Sequence, residues 1–557
     1  MVENVAFHAL QDRWDLEMPR HRRNADISVY REFVARHDAL ISGSEAPKDN
    51  TTAARLRNVG NRHYLGKRFD DALWSYNRSI CFAENLSEHL GIGYANRSAI
   101  YYELGEYEFA LYNIDLARKS NYPEKLLPKL LEREANCKER LAGGHSKGTV
   151  PLPVVDINVD VNPKIPFMAK GIRMKEFGDM GRGLVAERNF KTGDVILDEK
   201  SDLCVVSFER SFISCAHCGS TFWKSLIPCL GCAAVMYCGE KCREADLQAM
   251  HRFECSVVTK LSGVACNNMM IMARLFFYGL TAFDDNIDQM MKYCLPNAGI
   301  GSNPLKLDLT SSKPTDVFKV WHQSQLKHGP LSRCVPNVEH QLKLSAAAFH
   351  LVFMKNPLVQ SIFRTEAQRN FMLRCLLIHG RLTAPLVINR VDEKGGFLGI
   401  LSPVASLINH SCDPNVISVV DSGRIKIIVL RPIQKGDQIL TSYAPSWWDE
   451  HDGSTLDFDC KCVVCDRGPE GAKWRNAREQ KRILSFEATR EWIGGGETQD
   501  LIKFQRLVQI LARDGHHPGK LFGETVKIYY DKLFDEVCAE NAKRNRAKVQ
   551  QIGGNLF

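Results

Sequence analysis

Asn409-His410-Ser411-Cys412-Asp413-Pro414-Asn415 is the stretch on which the reading of this chain turns. Taken alone, a run of Asn, Ser, Asp and Pro reads as a turn, because these side chains bond their own backbone and proline presets φ. Its surroundings say more. The apolar run Val404–Ile408 precedes it, and Thr441-Ser442-Tyr443 follows, with Tyr443 28 residues beyond Asn415. On both sides the texture is that of strands: GLVAERNFKTGDVILDE from Gly183 and NVISVVDSGRIKIIVLRPIQKGDQILTSY from Asn415 alternate β-branched with polar residues. Both carry one turn-then-strand phrase, Lys191-Thr192-Gly193-Asp194 before Val-Ile-Leu and Gln434-Lys435-Gly436-Asp437 before Gln-Ile-Leu. Two matching pieces more than 200 residues apart suggest one β-domain interrupted by insertions. A Gly-x-Gly phrase, Gly181-Arg182-Gly183, stands near its start.

The interruption holds most of the cysteines. Of 19 in the 557-residue chain, eleven fall within Cys215–Cys255 or Cys412–Cys465. The first cluster reads Cys215-x2-Cys218, Cys229-x2-Cys232, Cys238-x3-Cys242, His251-x3-Cys255, which is eight soft ligands in 41 residues. That is the spacing of two closed tetrahedral zinc sites, with thiolates ~2.3 Å from each ion. A segment so short lacks a hydrophobic core of its own, so metal binding supplies most of its folding energy. The isolated Cys81, Cys137 and Cys375 lie in helical patterns and read as core fillers.

Residues 52–142 are helical throughout and repeat. VGNRHYLGKRFDDALWSYNRSI around Ala72 and ANRSAIYYELGEYEFALYNIDLA around Ala110 share one pattern of small and aromatic positions, offset by 38 residues, close to the ~34 of a tetratricopeptide repeat. Stacked repeats usually form concave docking surfaces. Residues 143–166, with early glycines and four prolines, read as a linker, and residues 256–381 and 468–557 read as helical. The net charge of +8 is mild and no helix carries a concentrated basic stripe, which argues against direct nucleic-acid binding. The first 30 residues lack the apolar run of a secretory signal, and the apolar stretch Ile271–Phe283 is too short to span a bilayer. The expected setting is a reducing one, cytoplasm and nucleus, with no membrane association, where clustered cysteines serve as metal ligands.

Over its whole length the first cysteine cluster resembles a MYND finger, including Tyr237 before the fifth ligand. The resemblance implies interleaved sets: Cys215, Cys218, Cys238 and Cys242 on one ion, Cys229, Cys232, His251 and Cys255 on the other. It also implies a module that binds proteins, often proline-containing peptides. Gly181-Arg182-Gly183, the Asn409–Asn415 phrase and Tyr443, in that order, resemble the SET domain of protein-lysine methyltransferases. A SET domain split by a MYND finger and ending in Cys460-x-Cys462-x2-Cys465 looks like the SMYD family, in its longer branch with N-terminal tetratricopeptide-like repeats. The likeness covers about residues 50–465 well.

The family implies an α+β multidomain fold. Its parts would be an N-terminal helical segment (1–51), repeats (52–142), linker (143–166), first SET part (167–214), MYND finger (215–255), helical insert (256–381), SET core (382–445), zinc tail (446–467) and C-terminal helical domain (468–557). By the same resemblance Cys412 completes a third site with Cys460, Cys462 and Cys465, giving three structural zinc ions. Met180, Gly181 and Arg182 would lie against S-adenosyl-L-methionine, and Asn409 and His410 would bond its polar groups. Tyr443 would sit where the methyl passes and orient the amine, and Phe458 would pack on the adenine. Two positions depart from many relatives: Leu456, where an aromatic is common, and Leu382-Thr383-Ala384-Pro385, where an Asn often contacts the cofactor. The implied activity is methyl transfer to lysine side chains of histone or non-histone proteins. The alternative is a catalytically idle scaffold recruiting transcriptional regulators through the finger and the repeats.

Overall fold

The repeat region begins where Asp49 caps a helix: its carboxylate accepts from the N–H groups of Thr51 at 3.2 Å and Thr52 at 2.6 Å, two of the donors that a helix start leaves unpaired. Helices follow at Asn50–Leu65, Phe69–Phe82, Glu88–Glu103, Tyr107–Arg118 and Leu127–Ala142. The computed structural model describes residues 5–19, 23–42, 47–146, 155–222, 225–264, 269–297, 303–310, 313–323, 338–383, 387–391, 396–443, 446–449, 460–477 and 501–552. Ala384, Pro385, Leu456 and Phe458 lie outside the described residues.

Beyond the repeats the chain turns to strands: β1 (Val161–Asn162), β2 (Ile165–Ala169), β3 (Ile172–Glu176), β4 (Arg182–Ala186), β5 (Val195–Lys200) and β6 (Leu203–Val206). The cysteine-rich module adds β7 (Ile227–Pro228) and β8 (Met236–Tyr237). After the helical insert come β9 (Val387–Val391), β10 (Phe397–Leu401), β11 (Asn409–His410), β12 (Val416–Asp421), β13 (Arg424–Val429) and β14 (Gln438–Thr441). The stretch expected as linker, 143–166, therefore already holds β1 and the start of β2, because Val161 finds a pairing partner in Ala169 and Asn162 in Ile165.

The strands form sheets in the orders β1-β2-β5-β13-β12, β6-β10-β9 and β11-β14-β4-β3, with β7-β8 as a separate hairpin. Strands flanking the insertions pair directly: Val185 with Gln438 and Leu184 with Ile439 between β4 and β14, Leu197 with Ile427 between β5 and β13. One β-domain is thus rebuilt from distant pieces, and the twin turn phrases show how. Gly193 and Gly436 both take positive φ, +88° and +101°, a region unfavourable to a residue with a Cβ. Asp194 accepts from the Lys191 N–H at 2.7 Å and Asp437 from the Gln434 N–H at 2.9 Å. Each turn is then stitched to the opposite half of the domain, the Gly193 N–H to the Val429 carbonyl and the Gly436 N–H to the Ala186 carbonyl.

Four buried clusters follow from this layout. One joins the N-terminal helices Val5–Glu17 and Ile27–Arg36 to the helical insert, with Trp14 stacked on Tyr30 at 4.1 Å. A second runs from the repeats into the cysteine-rich module, a third fills the β-domain, and a fourth packs the C-terminal helices Leu501–Arg513 and Lys520–Ile552 on β12 and β13. Among the described residues no helix is long and apolar enough to cross a membrane.

Glu199, on β5, is buried beneath the loop that leads to Asn409 and accepts hydrogen bonds from the Ser402 hydroxyl and, at 3.4 Å, from the Ala405 N–H. Burial pushes its pKa up to about 7 from an ordinary 4.5, against the lowering effect of those bonds. The folded state then holds a proton that the unfolded chain releases between these values, so stability falls as pH rises from about 4.5 through about 7 and levels off above. The expected outcome is that Glu199→Gln gains on wild type across this window, by on the order of 3 kcal/mol at most. Urea midpoints of both proteins at pH 5 and pH 8 check it; parallel curves would refute the assignment.

Candidate active site and metal centres

A tetrahedral zinc with thiolates at ~2.3 Å sets its sulfurs ~3.8 Å apart, and a thiolate and an imidazole nitrogen ~3.6 Å apart. The structure shows such edges. Cys218 and Cys238 lie 3.7 Å apart, Cys238 and Cys242 3.4 Å, Cys229 and Cys255 3.8 Å, and the Cys232 sulfur 3.5 Å from His251 Nε2. In each set of four, Cys215-Cys218-Cys238-Cys242 and Cys229-Cys232-His251-Cys255, all ligand atoms lie within 4.8 Å of one another. A third set, Cys412-Cys460-Cys462-Cys465, meets the same limit, with Cys412 and Cys465 3.6 Å apart. The donor chemistry and the spacing fit zinc.

These ligands are held from behind. His251 Nδ1 lies 3.5 Å from Glu254, and Arg274 grips Glu254 through Nε at 3.0 Å and Nη2 at 2.9 Å. Arg274 Nη1 also donates to the carbonyls of Cys204 at 2.8 Å and Ala216 at 3.0 Å, tying insert, β6 and module together. A carboxylate behind a ligating imidazole fixes its tautomer and orientation. Sequence reading did not single out Arg274, although it is the sole charge in the apolar run Ile271–Phe283, and that was a usable signal.

The second centre lies where β11 runs parallel to β14, Asn409 beside Leu440 and His410 beside Thr441. Asn409 is buried, and its Nδ2, like Nε2 of Gln438, finds no hydrogen-bond partner among the described residues. Both amides converge on Gly183: a Cβ there would lie 2.6 Å from Asn409 Nδ2 and 2.8 Å from Gln438 Nε2. Two buried donors without acceptors, beside a glycine that alone leaves them room, fit a polar ligand at this point. Met180 and Gly181 lead into the same edge, Met180 exposed and Gly181 preceding β4. Arg182 opens that strand and is half-buried.

Tyr443 stands at the rim. Its hydroxyl donates to the Ile408 carbonyl at 2.7 Å, and protein around that end pushes the phenol's pKa up, while the residue as a whole is 51% exposed. The hydroxyl is thus held in place on an exposed side chain. His410 accepts the Tyr443 N–H on Nδ1 at 3.0 Å, which leaves its proton on Nε2, 3.3 Å from the Cys412 sulfur. Its imidazole is committed on both nitrogens inside the protein. Thr383 is buried at the end of the insert's last helix.

Asp413 and Asn415, which sequence reading quoted without giving a role, anchor the loop. Asp413 accepts from Trp447 Nε1 at 2.9 Å, His517 Nε2 at 2.8 Å and Arg431 Nη2 at 3.1 Å. Burial alone would raise its pKa; the His517 bond, Arg431 and Trp447 outweigh that and hold the carboxyl below its ordinary value.

The sequence is similar to those of several known proteins. A family model described as the SET domain matches residues 181–444, from Gly181 to one residue past Tyr443. The chain is 23% identical over 421 residues to protein-lysine N-methyltransferase SMYD4 of Danio rerio, covering 66% of this chain and 55% of that protein. It is 21% identical over 566 residues to the Homo sapiens protein of that name, covering 78% and 70%. The chain carries a SET domain and is similar to SMYD proteins over most of its length. Another relative, histone-lysine N-methyltransferase ASHR1 of Arabidopsis thaliana, is 27% identical over 301 residues, 51% of this chain and 53% of that one. The chain therefore spans little more than half the length of the zebrafish and Arabidopsis relatives. A solved SET domain, that of LSMT bound to lysine and AdoHcy, is 13% identical with a TM-score of 0.25, covering 65% of this chain and 71% of that one.

With these three ligand sets, metal analysis is expected to return three zinc ions. Cys462→Ser should leave two, because the other two sets share no ligand with the tail. A mutant still holding three would show that Cys462 is not a ligand.

Proposed function

We propose that this chain transfers methyl groups from S-adenosyl-L-methionine to lysine side chains of proteins, histone or non-histone. The observation that carries the proposal is the meeting, within one SET core, of the unpartnered Asn409 and Gln438 amides with the Tyr443 hydroxyl beside the same strand. When bound, S-adenosyl-L-methionine supplies a methyl group activated on a sulfonium. Met180, Gly181 and Arg182 on one side, with Asn409 and Gln438 on the other, would hold it.

The rest is the work of the chain's own groups. The Tyr443 proton is committed to the Ile408 carbonyl, so the phenol oxygen turns only lone pairs outward. It can accept an N–H from an incoming amine and so aim the nitrogen lone pair, which is the alignment an in-line displacement requires. The raised pKa keeps Tyr443 neutral, so it orients the amine and does not deprotonate it. Each metal set offers four protein ligands, which closes a tetrahedral ion to substrate, so zinc at these positions is structural. Proline-containing peptides or transcriptional regulators at the finger, and work in both cytoplasm and nucleus, complete the proposal. The rival is a catalytically idle scaffold.

Tyr443→Phe removes one hydroxyl and little volume. Cofactor affinity should survive while methyl transfer falls by about tenfold to a thousandfold, read with labelled cofactor and protein substrates. Full activity would move the role to another residue. S-adenosyl-L-methionine should also raise the melting temperature of wild type, since it binds the native state alone. In Asn409→Ala that rise should vanish with the zinc content intact; no rise in wild type would favour the idle scaffold.

A further inference from the structure

The inner face of the repeats carries a ladder of buried polar side chains, one from each of three successive helices: Asn77, Arg97 and Asn113. Arg97 donates to the Asn77 side-chain oxygen at 2.7 Å through Nη1 and to that of Asn113 at 2.7 Å through Nε. Two such side chains would make a structural cross-brace and nothing more. Here the ladder reaches outward. Arg97 Nη1 donates to the Leu226 carbonyl at 2.8 Å, Asn77 to the Phe212 carbonyl at 2.7 Å and Asn113 to the Ser225 hydroxyl at 2.7 Å. At the edge of the face, Asn85 donates to the Leu230 carbonyl at 2.9 Å. Phe222 is fully buried against the rings of Phe109 and Tyr112, both at 5.9 Å. Every acceptor belongs to the segment 212–230, which carries Cys215, Cys218 and Cys229.

Three of these contacts read main-chain carbonyls, which is how a repeat groove would hold an extended peptide of any sequence. Arg97 is buried, and no carboxylate pairs with it among the described residues; Nε and Nη1 bond neutral oxygens, Nη2 finds no hydrogen-bond partner there, and the guanidinium lies 5.2 Å from the Tyr94 ring. Stripped of the 212–230 segment, the groove would present an underpaired guanidinium, a costly arrangement in a protein interior. The segment in turn has no core of its own and borrows one from the repeats.

We propose that the repeats are an intramolecular cradle for the zinc module: their docking groove is occupied in cis by residues 212–222 and 225–230, and zinc retention and groove integrity are one coupled equilibrium. The proposal rests on the reading that the module's ligand sets hold zinc. Coupling is reciprocal, so loosening either side must loosen the other. A partner peptide could enter this groove only by displacing the module.

The test uses the full chain. Cys229→Ser removes one module ligand, and hydrogen exchange is then followed in the helices Phe69–Phe82, Glu88–Glu103 and Tyr107–Arg118. Faster exchange there than in wild type is expected; unchanged exchange with zinc lost would overturn the cradle. From the other side, Arg97→Met should speed release of the module's zinc to a chelator by about tenfold or more, and Asn85→Ala by a few-fold. Asn85 lies on the exposed edge, so its variant stays informative if Arg97→Met fails to fold. Wild-type release rates in Asn85→Ala would overturn the proposal, and a wild type without module zinc would overturn the zinc reading beneath it.

Discussion

Asn415 joins the two halves of the SET domain. Its side chain accepts from the Leu440 N–H and donates to the Gln438 carbonyl, both at 2.8 Å, while its own N–H reaches the Leu440 carbonyl at 3.0 Å and its carbonyl accepts from Leu430 at 2.9 Å. One buried residue thus satisfies main-chain groups of β14 and of the exit from β13, where an unpaired group would cost ~1–3 kcal/mol. With β14 so placed, β11 lies on one side of it and β4 on the other. Asn409 meets Gly183 because both border the same short strand. The insertion of residues 215–381 between the halves is tolerable because closure entropy grows only with the logarithm of loop length.

What was legible in the sequence was local or chemically marked. The cysteine sets could be read because two- and three-residue gaps bring thiolates to one side of a turn, and the Gly-Asp phrases because their turns need a left-handed glycine and a capping carboxylate. The Asn409–Asn415 phrase marked the site, yet its residues divide the work in ways spacing does not record. His410 braces the Tyr443 backbone against the Cys412 sulfur, while Asp413 and Asn415 hold the loop. Gln438 drew no notice because a glutamine in an alternating strand carries no signature; only its pairing opposite Val185 sets it beside Gly183. Contacts between distant segments were illegible for the same reason. Nothing local in Trp14 or Tyr30 says that they pack against the insert, where the Tyr30 hydroxyl meets His340 at 2.9 Å.

The module that splits the domain is a burden unless it is supported from outside. Its strands β7 and β8 span two residues each, too short to hold a sheet. Support arrives from three directions: the polar ladder of the repeats, Arg274 of the insert through Glu254, and the long helix Lys520–Ile552, whose Asn545 donates to Ser220 at 3.2 Å. That helix also carries Arg546 to the buried Glu106 of the repeats. The same helix therefore touches the repeats and the module, and packs on β12 as well, so these parts cannot shift independently without breaking buried polar contacts.

That continuity reaches the candidate site. Asp413 lies between Cys412, a ligand of the tail set, and Asn415, the joint of β14, and one of its three donors is His517, in the turn between the two C-terminal helices. Another, Trp447, follows Tyr443 by four residues and donates its N–H to the Cys412 carbonyl at 2.9 Å. The C-terminal helices thus act on the site through a carboxylate that is buried, fully bonded and adjacent to a metal ligand. A shift of His517 would leave Asp413 with an unmet acceptor in the interior, and the least costly relief is movement of the loop itself. The loop carries Asn409 and His410 with it, so the geometry of the candidate site and of Tyr443 depends on the turn between the C-terminal helices as well as on the SET core.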